Sequence, residues 1–294
     1  MTSASHSPGE GVRPSALVTG ASGQLGSTIA ERLASRWSIT PMGRREMDLA
    51  DPRAVRETVA RLRPDVIVNC AAYTDVDGAE TAAHQALAVN ALAVGTLARA
   101  AKDVGAAFVH YSTDFVFDGR AERVHREQDA PEPQSTYGQS KLIGEWLAAD
   151  APVHYVLRVE SLFGGSLAKS SIDRIIAAIV EGREARVFID RTVSPSFVDD
   201  VAEATAFLVG ARAPGGVYHV VNSGCTTWFD IARHVAERLE RPQAILTPVS
   251  VKELQLKAKR PQFAALANDK LTEAGFRMPL WQDALERHVA RAHR

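Results

Sequence analysis

The sequence predicts an α/β fold: a doubly wound parallel sheet with helices on both faces and a smaller, irregular α/β lobe formed by the C-terminal part. Three observations predict it. Short apolar strands alternate with helical patterns up to about residue 160, the rhythm of successive β-α-β units. A glycine-rich turn joins the first strand to the first helix. After Val159 the rhythm changes, and Gly and Pro cluster at Phe163-Gly164-Gly165, Val193-Ser194-Pro195 and Ala213-Pro214-Gly215-Gly216.

The elements follow in order. Met1 to Pro14 is small, polar and rich in Ser, Gly and Pro, without the apolar run of a signal peptide, and reads as a disordered tail. Ala16 to Thr19 is an apolar strand, and Gln24 to about Ser35 is a helix. Ser38 to Met42 is the second strand. Asp51 as N-cap and Pro52 at the first helical position open a helix that runs through Leu62. Val66 to Asn69 is the third strand. One long helix is expected from about Thr81 to Val104, stopped by Gly105. Ala107 to Ser112 is the fourth strand, the helix carrying Tyr137 runs to about Ala149, and Val153 to Arg158 is the fifth strand. Val198 to Leu208 reads as a helix returning to the first lobe. The expected division is a cofactor domain of residues 15–160 plus about 196–211, and a substrate lobe of 161–195 and 212–294.

Composition narrows the function. The chain has 294 residues, with 34 Lys and Arg against 35 Asp and Glu, so neither nucleic acid nor an anionic membrane surface is an expected partner. Apolar runs such as Val66-Ile67-Val68 are far too short to span a bilayer. Cys70 and Cys225 are the only cysteines and lack metal-ligand spacing. The expectation is a reducing cytoplasm, no disulfide framework and no metal site.

The chemistry begins at Thr19-Gly20-Ala21-Ser22-Gly23-Gln24-Leu25-Gly26. Its G-x-x-G-x-x-G spacing after a strand and at a helix start permits a tight turn, with a pyrophosphate over the helix N-terminus. An NAD site usually carries an acid at the end of the second strand. Here Arg44 and Arg45 stand instead, and two guanidiniums suit a 2′-phosphate, so NADPH is expected, with NADH the alternative. Asp48 and Leu49 are candidates for contact with the adenine, Asp48 alternatively being a turn residue. Ala71, Ala72, Tyr73 and Thr74 leave the third strand, where small residues admit a cofactor to the backbone. Ser112, Thr113 and Asp114 leave the fourth, where a hydroxyl can face a substrate carbonyl. Tyr137 and Lys141, four apart, share one helix face. A cation beside the phenol would lower its pKa from about 10 and suit it to proton transfer.

Together these segments resemble the extended short-chain dehydrogenase/reductases, whose core is a Rossmann-type sheet, and among them the dTDP-4-dehydrorhamnose reductase family. The resemblance is carried by Gly20 to Gly26, by Arg63-Pro64-Asp65-Val66-Ile67-Val68-Asn69-Cys70-Ala71-Ala72, by Thr74-Asp75-Val76-Asp77 and by Ser112-Thr113-Asp114-Phe115-Val116-Phe117. Tyr137-Gly138-Gln139-Ser140-Lys141 and Gly216-Val217-Tyr218-His219-Val220 extend it, so that it covers about residues 16 to 282. It implies that Thr113 bonds the reacting carbonyl, that Tyr137 is the general acid, and that Lys141 supports it and binds the nicotinamide ribose. Asn90 matches a position near the site, a structural helix asparagine being the other reading. Thr74, Val76, Asp114, Phe115, Leu162 and Arg260 fall in segments that face the sugar nucleotide, with Arg260 read either as a diphosphate ligand or as a surface residue.

Three departures accompany the resemblance. After the fifth strand the family pattern is Arg-Thr-Ser/Ala-Trp-hydrophobic-Tyr-Gly, whereas this chain has Arg158-Val159-Glu160-Ser161-Leu162-Phe163-Gly164, read with Leu162 in place of the tryptophan. Phe115 replaces a tyrosine, and Ala264 replaces a serine. The implied activity is reduction of the C4 ketone of a nucleotide-linked 4-keto-6-deoxyhexose by NADPH, the substrate being dTDP-4-dehydrorhamnose, another dTDP-deoxysugar or a GDP-sugar. An NADP(H)-binding regulatory subunit and an epimerase or dehydratase are the alternatives. A homodimer is expected by analogy.

Overall fold

β1 (Ser15–Thr19) opens a strict alternation with α1 (Gln24–Leu33), β2 (Ser38–Met42), α2 (Pro52–Leu62) and β3 (Val66–Asn69). The computed structural model describes residues 13–120, 122–242 and 245–292. Residues 1–12 of the expected disordered tail lie outside the described residues. Arg13 and Pro14 are already tied to the fold, Pro14 accepting a bond from the Ser38 amide at 2.9 Å. α2 begins as its sequence dictates: Asp51 Oδ1 accepts from the Arg53 and Ala54 amides at 2.9 and 3.1 Å, and Pro52 needs no amide partner there.

The helix expected over residues 81–104 is divided. α3 (Val76–Ala79) and α4 (Ala83–Leu87) lead into a π-helical turn, Ala88–Leu92, before α5 (Ala93–Val104) ends at Gly105. A π-turn adds one residue to the helical repeat and is common at functional sites. Here it contains Asn90, which is fully buried. Its Oδ1 accepts from the Tyr73 amide at 2.8 Å, and its Nδ2 donates to the Tyr73 carbonyl and the Ser140 hydroxyl, both at 3.0 Å.

β4 (Ala107–Thr113) continues into a single 3-10 turn, Asp114–Val116. α6 (Thr136–Ala148) is capped by Ser135, whose hydroxyl accepts from the Gly138 amide at 3.1 Å. β5 (His154–Val159) follows, then β6 (Leu162–Phe163), α7 (Ser171–Val180), β7 (Ala185–Phe188), β8 (Thr192–Val193), β9 (Ser196–Phe197) and α8 (Val198–Gly210). The chain ends with β10 (Gly216–His219), β11 (Thr226–Thr227), α9 (Trp228–Arg238), β12 (Leu246–Val249), α10 (Asp269–Glu273) and α11 (Trp281–Ala292).

The main sheet is parallel throughout, in the order β2-β1-β3-β4-β5-β10. Period-two alternation fills both faces. Ala16, Val18, Val68 and Leu157 meet Leu25 and Ile29 of α1 and Val201 of α8 on one side. Leu17, Ile67 and Phe108 meet Val55 and Val59 of α2 and Val94 and Leu97 of α5 on the other. β10 is a correction to the expected division: it falls in the 212–294 stretch assigned to the substrate lobe, yet it pairs with β5 and completes the main sheet. Its pairing partner lies some sixty residues earlier, out of reach of local pattern reading. α8 returns to pack on α1, and its Asp199 pairs with both Arg32 of α1 and Arg291 of α11. A separate core in the lobe gathers Phe163, Ile172, Ile176, Val187, Trp228, Ile231 and Trp281.

The chain passes from β2 back over β1 to β3, so the order reverses between β1 and β3. A crevice opens there at the carboxyl ends of the strands, where ligands bind in such sheets. Among the described residues no helix is long and apolar enough to cross a membrane.

Candidate active site

At the end of β1 the chain turns at Gly20, with φ of +64°. A Cβ there would lie 2.7 Å from the Ala71 amide nitrogen, so only glycine lets the β1 and β3 ends close up. The Gly23 amide bonds back to the Gly20 carbonyl at 2.9 Å. α1 then starts at Gln24 with no side-chain cap and no acid in its first turn. Its first amides are left facing the crevice, which is what an anionic phosphate group requires. Ser22 and Gly23 are exposed beside the turn, Leu25 and Gly26 are buried beneath it, and Gln24 reaches across to the Gly164 carbonyl at 2.8 Å.

Arg44 and Arg45 follow β2, both exposed, and neither has a partner among the described residues. Asp48 takes the turn role: its Oδ1 accepts from the Ala50 amide at 3.0 Å. Leu49 packs against the core formed by Leu17 and Val55. The Ser112 hydroxyl is buried and unpartnered at the end of β4. The tight glycine cradle, the uncapped helix start, two free guanidiniums and an orphaned hydroxyl are a set that fits a phosphorylated dinucleotide.

Across the crevice, α6 presents Tyr137 and Lys141 from one face, both buried. Phe115 packs edge-on to the Tyr137 ring, with centroids 5.4 Å apart. The Thr113 hydroxyl stands on the Tyr137 side of the turn and donates to Asp114 Oδ1 at 2.8 Å while accepting from the Phe115 amide at 3.2 Å. Val76 and Tyr73 pack around the same ring, and Thr74 is exposed at the crevice edge. Lys141 Nζ donates to the Tyr111 carbonyl at 2.5 Å and lies 3.4 Å from His110 Nε2. His110 Nδ1 is 3.1 Å from Asn69 Nδ2, and Asn69 Oδ1 accepts from the Thr19 hydroxyl at 2.6 Å. A buried polar chain thus runs from the glycine turn to the lysine.

This geometry corrects one expectation. The Tyr137 pKa is raised rather than lowered: burial disfavours the phenolate, the Asp114 carboxylate adds to that, and the Thr113 hydrogen bond offsets only part. Shared helix face did not mean contact, because the Lys141 ammonium points to the strand backbone. Burial lowers Lys141 from 10.5 to about 8, with Glu145 opposing. A phenol held protonated at neutral pH is a proton donor in waiting.

Phe115 is flanked by two guanidiniums, Arg191 at 6.0 Å and Arg260 at 5.9 Å from the ring centroid. Arg260 is held by Asp77 of α3 at 2.7 Å and lines a cavity of about 330 Å³ with Lys259, Arg120 and Gln134. Leu162 lies away from this group: it pairs with Ser196 in a short β6–β9 ladder and packs on the main core. Counted from Arg158 to Gly164, the tryptophan position of the family pattern falls on Ser161, a residue at φ +48°, rather than on Leu162. Asn90 engages Tyr73 and Ser140 with its whole side chain, so it braces α6 against the β3 end. Sequence reasoning overlooked His110, Glu160 and Arg191. Glu160 carried no motif: its place beside Thr113 follows only from the pairing of β4 with β5.

The family model for the RmlD substrate binding domain matches residues 15–294. The dTDP-4-dehydrorhamnose reductase of Streptomyces griseus is 36% identical over 282 residues, covering 93% of this chain and 92% of that protein. A probable dTDP-4,6-dihydroxy-2-methyloxan-3-one 4-ketoreductase of Streptomyces antibioticus is 34% identical over 276 residues, covering 92% of each. The crystal structure of dTDP-4-dehydrorhamnose reductase from Bacillus anthracis in complex with NADP aligns with a TM-score of 0.90 at 31% identity, over 95% of this chain and 100% of that one. From the glycine turn to the last helix, then, sequence and fold agree, and this chain belongs to the RmlD family of extended short-chain dehydrogenase/reductases.

Proposed function

We propose that this chain is an NADPH-dependent reductase of the C4 ketone of a nucleotide-linked 4-keto-6-deoxyhexose. What supports the reading is Thr113 at the end of β4 with Tyr137 and Lys141 buried on the helix seated beside it, in a chain of this family. When bound, the dinucleotide supplies a hydride at its nicotinamide ring. The α1 amides hold the pyrophosphate, and Arg44 and Arg45 hold the 2′-phosphate. The Thr113 and Tyr137 hydroxyls orient the ketone oxygen. Tyr137 gives that oxygen its phenolic proton as negative charge develops there, and Lys141, its ammonium on the Tyr111 carbonyl, would bind the nicotinamide ribose. Arg260 and the cavity beside it receive the diphosphate end.

Family membership supports dTDP-4-dehydrorhamnose as the substrate. The 34% identical 4-ketoreductase supports a related dTDP-deoxysugar as the second reading. A cytoplasmic setting and a homodimer belong to the same proposal, and light scattering tests the latter. The deciding experiment is NADPH oxidation against a panel of dTDP- and GDP-4-keto-6-deoxy sugars, with product configuration read by NMR. NADPH binding without oxidation by any of them would overturn the reading in favour of a regulatory subunit.

A further inference from the structure

Past the end of β3, the single turn of α3 carries two carboxylates that reach to different parts of the molecule. Asp75 caps the turn, its Oδ1 accepting from the Gly78 amide at 2.8 Å. A Cβ on Gly78 would lie 2.3 Å from Asp75 Oδ2 and 2.8 Å from the Tyr73 hydroxyl, so the turn is packed as one rigid piece. Asp77 reaches to the lobe: its Oδ1 accepts from the Ala258 amide at 2.9 Å and its Oδ2 from Arg260 Nη2 at 2.7 Å. Glu80 reaches to α6: its Oε1 accepts from the Thr136 amide at 2.9 Å and its Oε2 from the Thr136 hydroxyl at 3.0 Å. Thr136 opens that helix and immediately precedes Tyr137. Val76 and Ala79 of the same turn pack with the Tyr137 ring.

What Asp77 holds is one end of an exposed run. Residues 252–257 are all exposed, and Ala258, which follows, is buried. The run is fixed on both sides. Before it, Asp190 accepts from the Ser250 hydroxyl at 2.5 Å and from the Val251 amide at 2.9 Å. After it, Arg191 Nε donates to the Pro261 carbonyl at 3.0 Å, and the Phe263 amide donates to the Gly119 carbonyl at 3.0 Å. Between these anchors Leu254 and Leu256 are 37% and 36% exposed. Both line the cavity of about 330 Å³, which also gathers three cations, Arg120, Lys259 and Arg260, against one carboxylate, Asp118. Exposed leucines beside an excess of cations suit an occupant with an apolar face and an anionic end, as a nucleoside diphosphate has.

We propose that residues 251–260 are a strap over the nucleotide end of the substrate, latched by Asp77, and that α3 passes the position of the strap to Tyr137 through Glu80; the occupant rests on the reductase reading above. A nucleoside diphosphate in the cavity covers Leu254 and Leu256 and offsets the cations, which holds the strap down. The strap bears on Asp77 through the Ala258 amide and the Arg260 guanidinium. Asp77 moves with Glu80 because one capped turn joins them, and Glu80 holds the first turn of α6. Tyr137 is therefore best placed when the nucleotide end of the substrate is seated. Binding free energy from the part of the substrate that does not react goes into orienting the proton donor at the part that does. Asp77 acts through Arg260 and Ala258, and Glu80 acts through Thr136, so both are positioning residues.

Amide hydrogen exchange of the NADP-bound protein tests the latch. The Ala258 and Thr136 amides should exchange about tenfold or more slowly than those of Gln255 and Lys257 on the open strap, and added dTDP should slow the latter two. Asp77→Ala should speed both Ala258 and Thr136. A wild-type Ala258 amide as fast as Gln255 overturns the latch, and this holds even if Asp77→Ala fails to fold. Unchanged exchange on the strap with dTDP overturns its role as a cover for a nucleoside diphosphate. A Thr136 amide unmoved in Asp77→Ala overturns the transmission to α6. Kinetics with dTDP-4-dehydrorhamnose separate positioning from folding. Asp77→Ala should raise KM for the sugar nucleotide and lower kcat, each about tenfold, and Glu80→Ala should lower kcat about tenfold with that KM in place. KM for NADPH should hold in both. Because the two residues act along one path, the double variant should lose no more kcat than either single one. Losses that multiply to about a hundredfold overturn the shared path. A failed sugar panel with the strap protected by dTDP sinks the reductase reading and leaves the latch standing.

Discussion

Gly138 of α6 lies so close to the backbone of Phe115 that a Cβ would sit 2.3 Å from the Phe115 carbonyl oxygen. The helix carrying Tyr137 is thereby seated directly on the turn that follows Thr113. Gly138→Ala should force the two apart, costing about 1–3 kcal/mol of stability and about a hundredfold in kcat through misplacement. Denaturant unfolding and steady-state kinetics check both. An alanine enzyme with normal kcat would show that this contact does not set the Tyr137–Thr113 spacing.

Tyr137→Phe removes the proton donor and little else. The ring is packed by Phe115 and Ala86, and those contacts survive. Turnover should fall about 10²- to 10⁴-fold, while NADPH still binds in a fluorescence titration. Unchanged turnover would remove the phenol from the mechanism.

The free guanidiniums after β2 make a cofactor prediction. Replacing both Arg44 and Arg45 by Ala should remove charge-assisted bonds of about 1.5–3 kcal/mol each, raising KM for NADPH by tenfold or more and leaving KM for NADH in place. An equal rise for both cofactors would mean that the arginines do not read the 2′-phosphate.

Lys141 makes a pH prediction with an uncommon sign. Burial lowers its pKa from 10.5 to about 8, so the folded protein releases this proton before the unfolded chain does. Between those values the unfolded chain binds more protons, and stability rises with pH. Wild-type stability should therefore climb relative to Lys141→Met across this window, measured by denaturant unfolding at a series of pH values. Parallel curves for the two proteins would mean that the ammonium is not desolvated.

β1, β3, β4 and β5 were legible because each is a short, largely apolar run beside its own helix, β2 by its place between two helices, and Asp51-Pro52 announced α2 outright. The second half resisted because its pairings are long-range: β7 finds β12 and β6 finds β9 across whole helices. In the site, the Tyr137–Lys141 spacing correctly placed both side chains on one face. It could not tell where a flexible four-carbon stem would aim its ammonium. The π-turn at Asn90 was invisible because a one-residue insertion leaves helical periodicity nearly intact. Glu160 became meaningful only once β4 and β5 were in register, since a lone acid after a strand has no motif.

β5 and β10 are neighbours in the sheet, yet everything from Glu160 to Gly215 is made between them. On the ribosome the outer edge of β5 is therefore born without its partner. At about 5–20 residues per second the edge stays open for several seconds, a template for pairing with another nascent chain. A transcript truncated inside the lobe would freeze that state. The yield of this enzyme in a cell should thus depend on translation speed and chaperone cover over one stretch of message, even where the finished protein is stable.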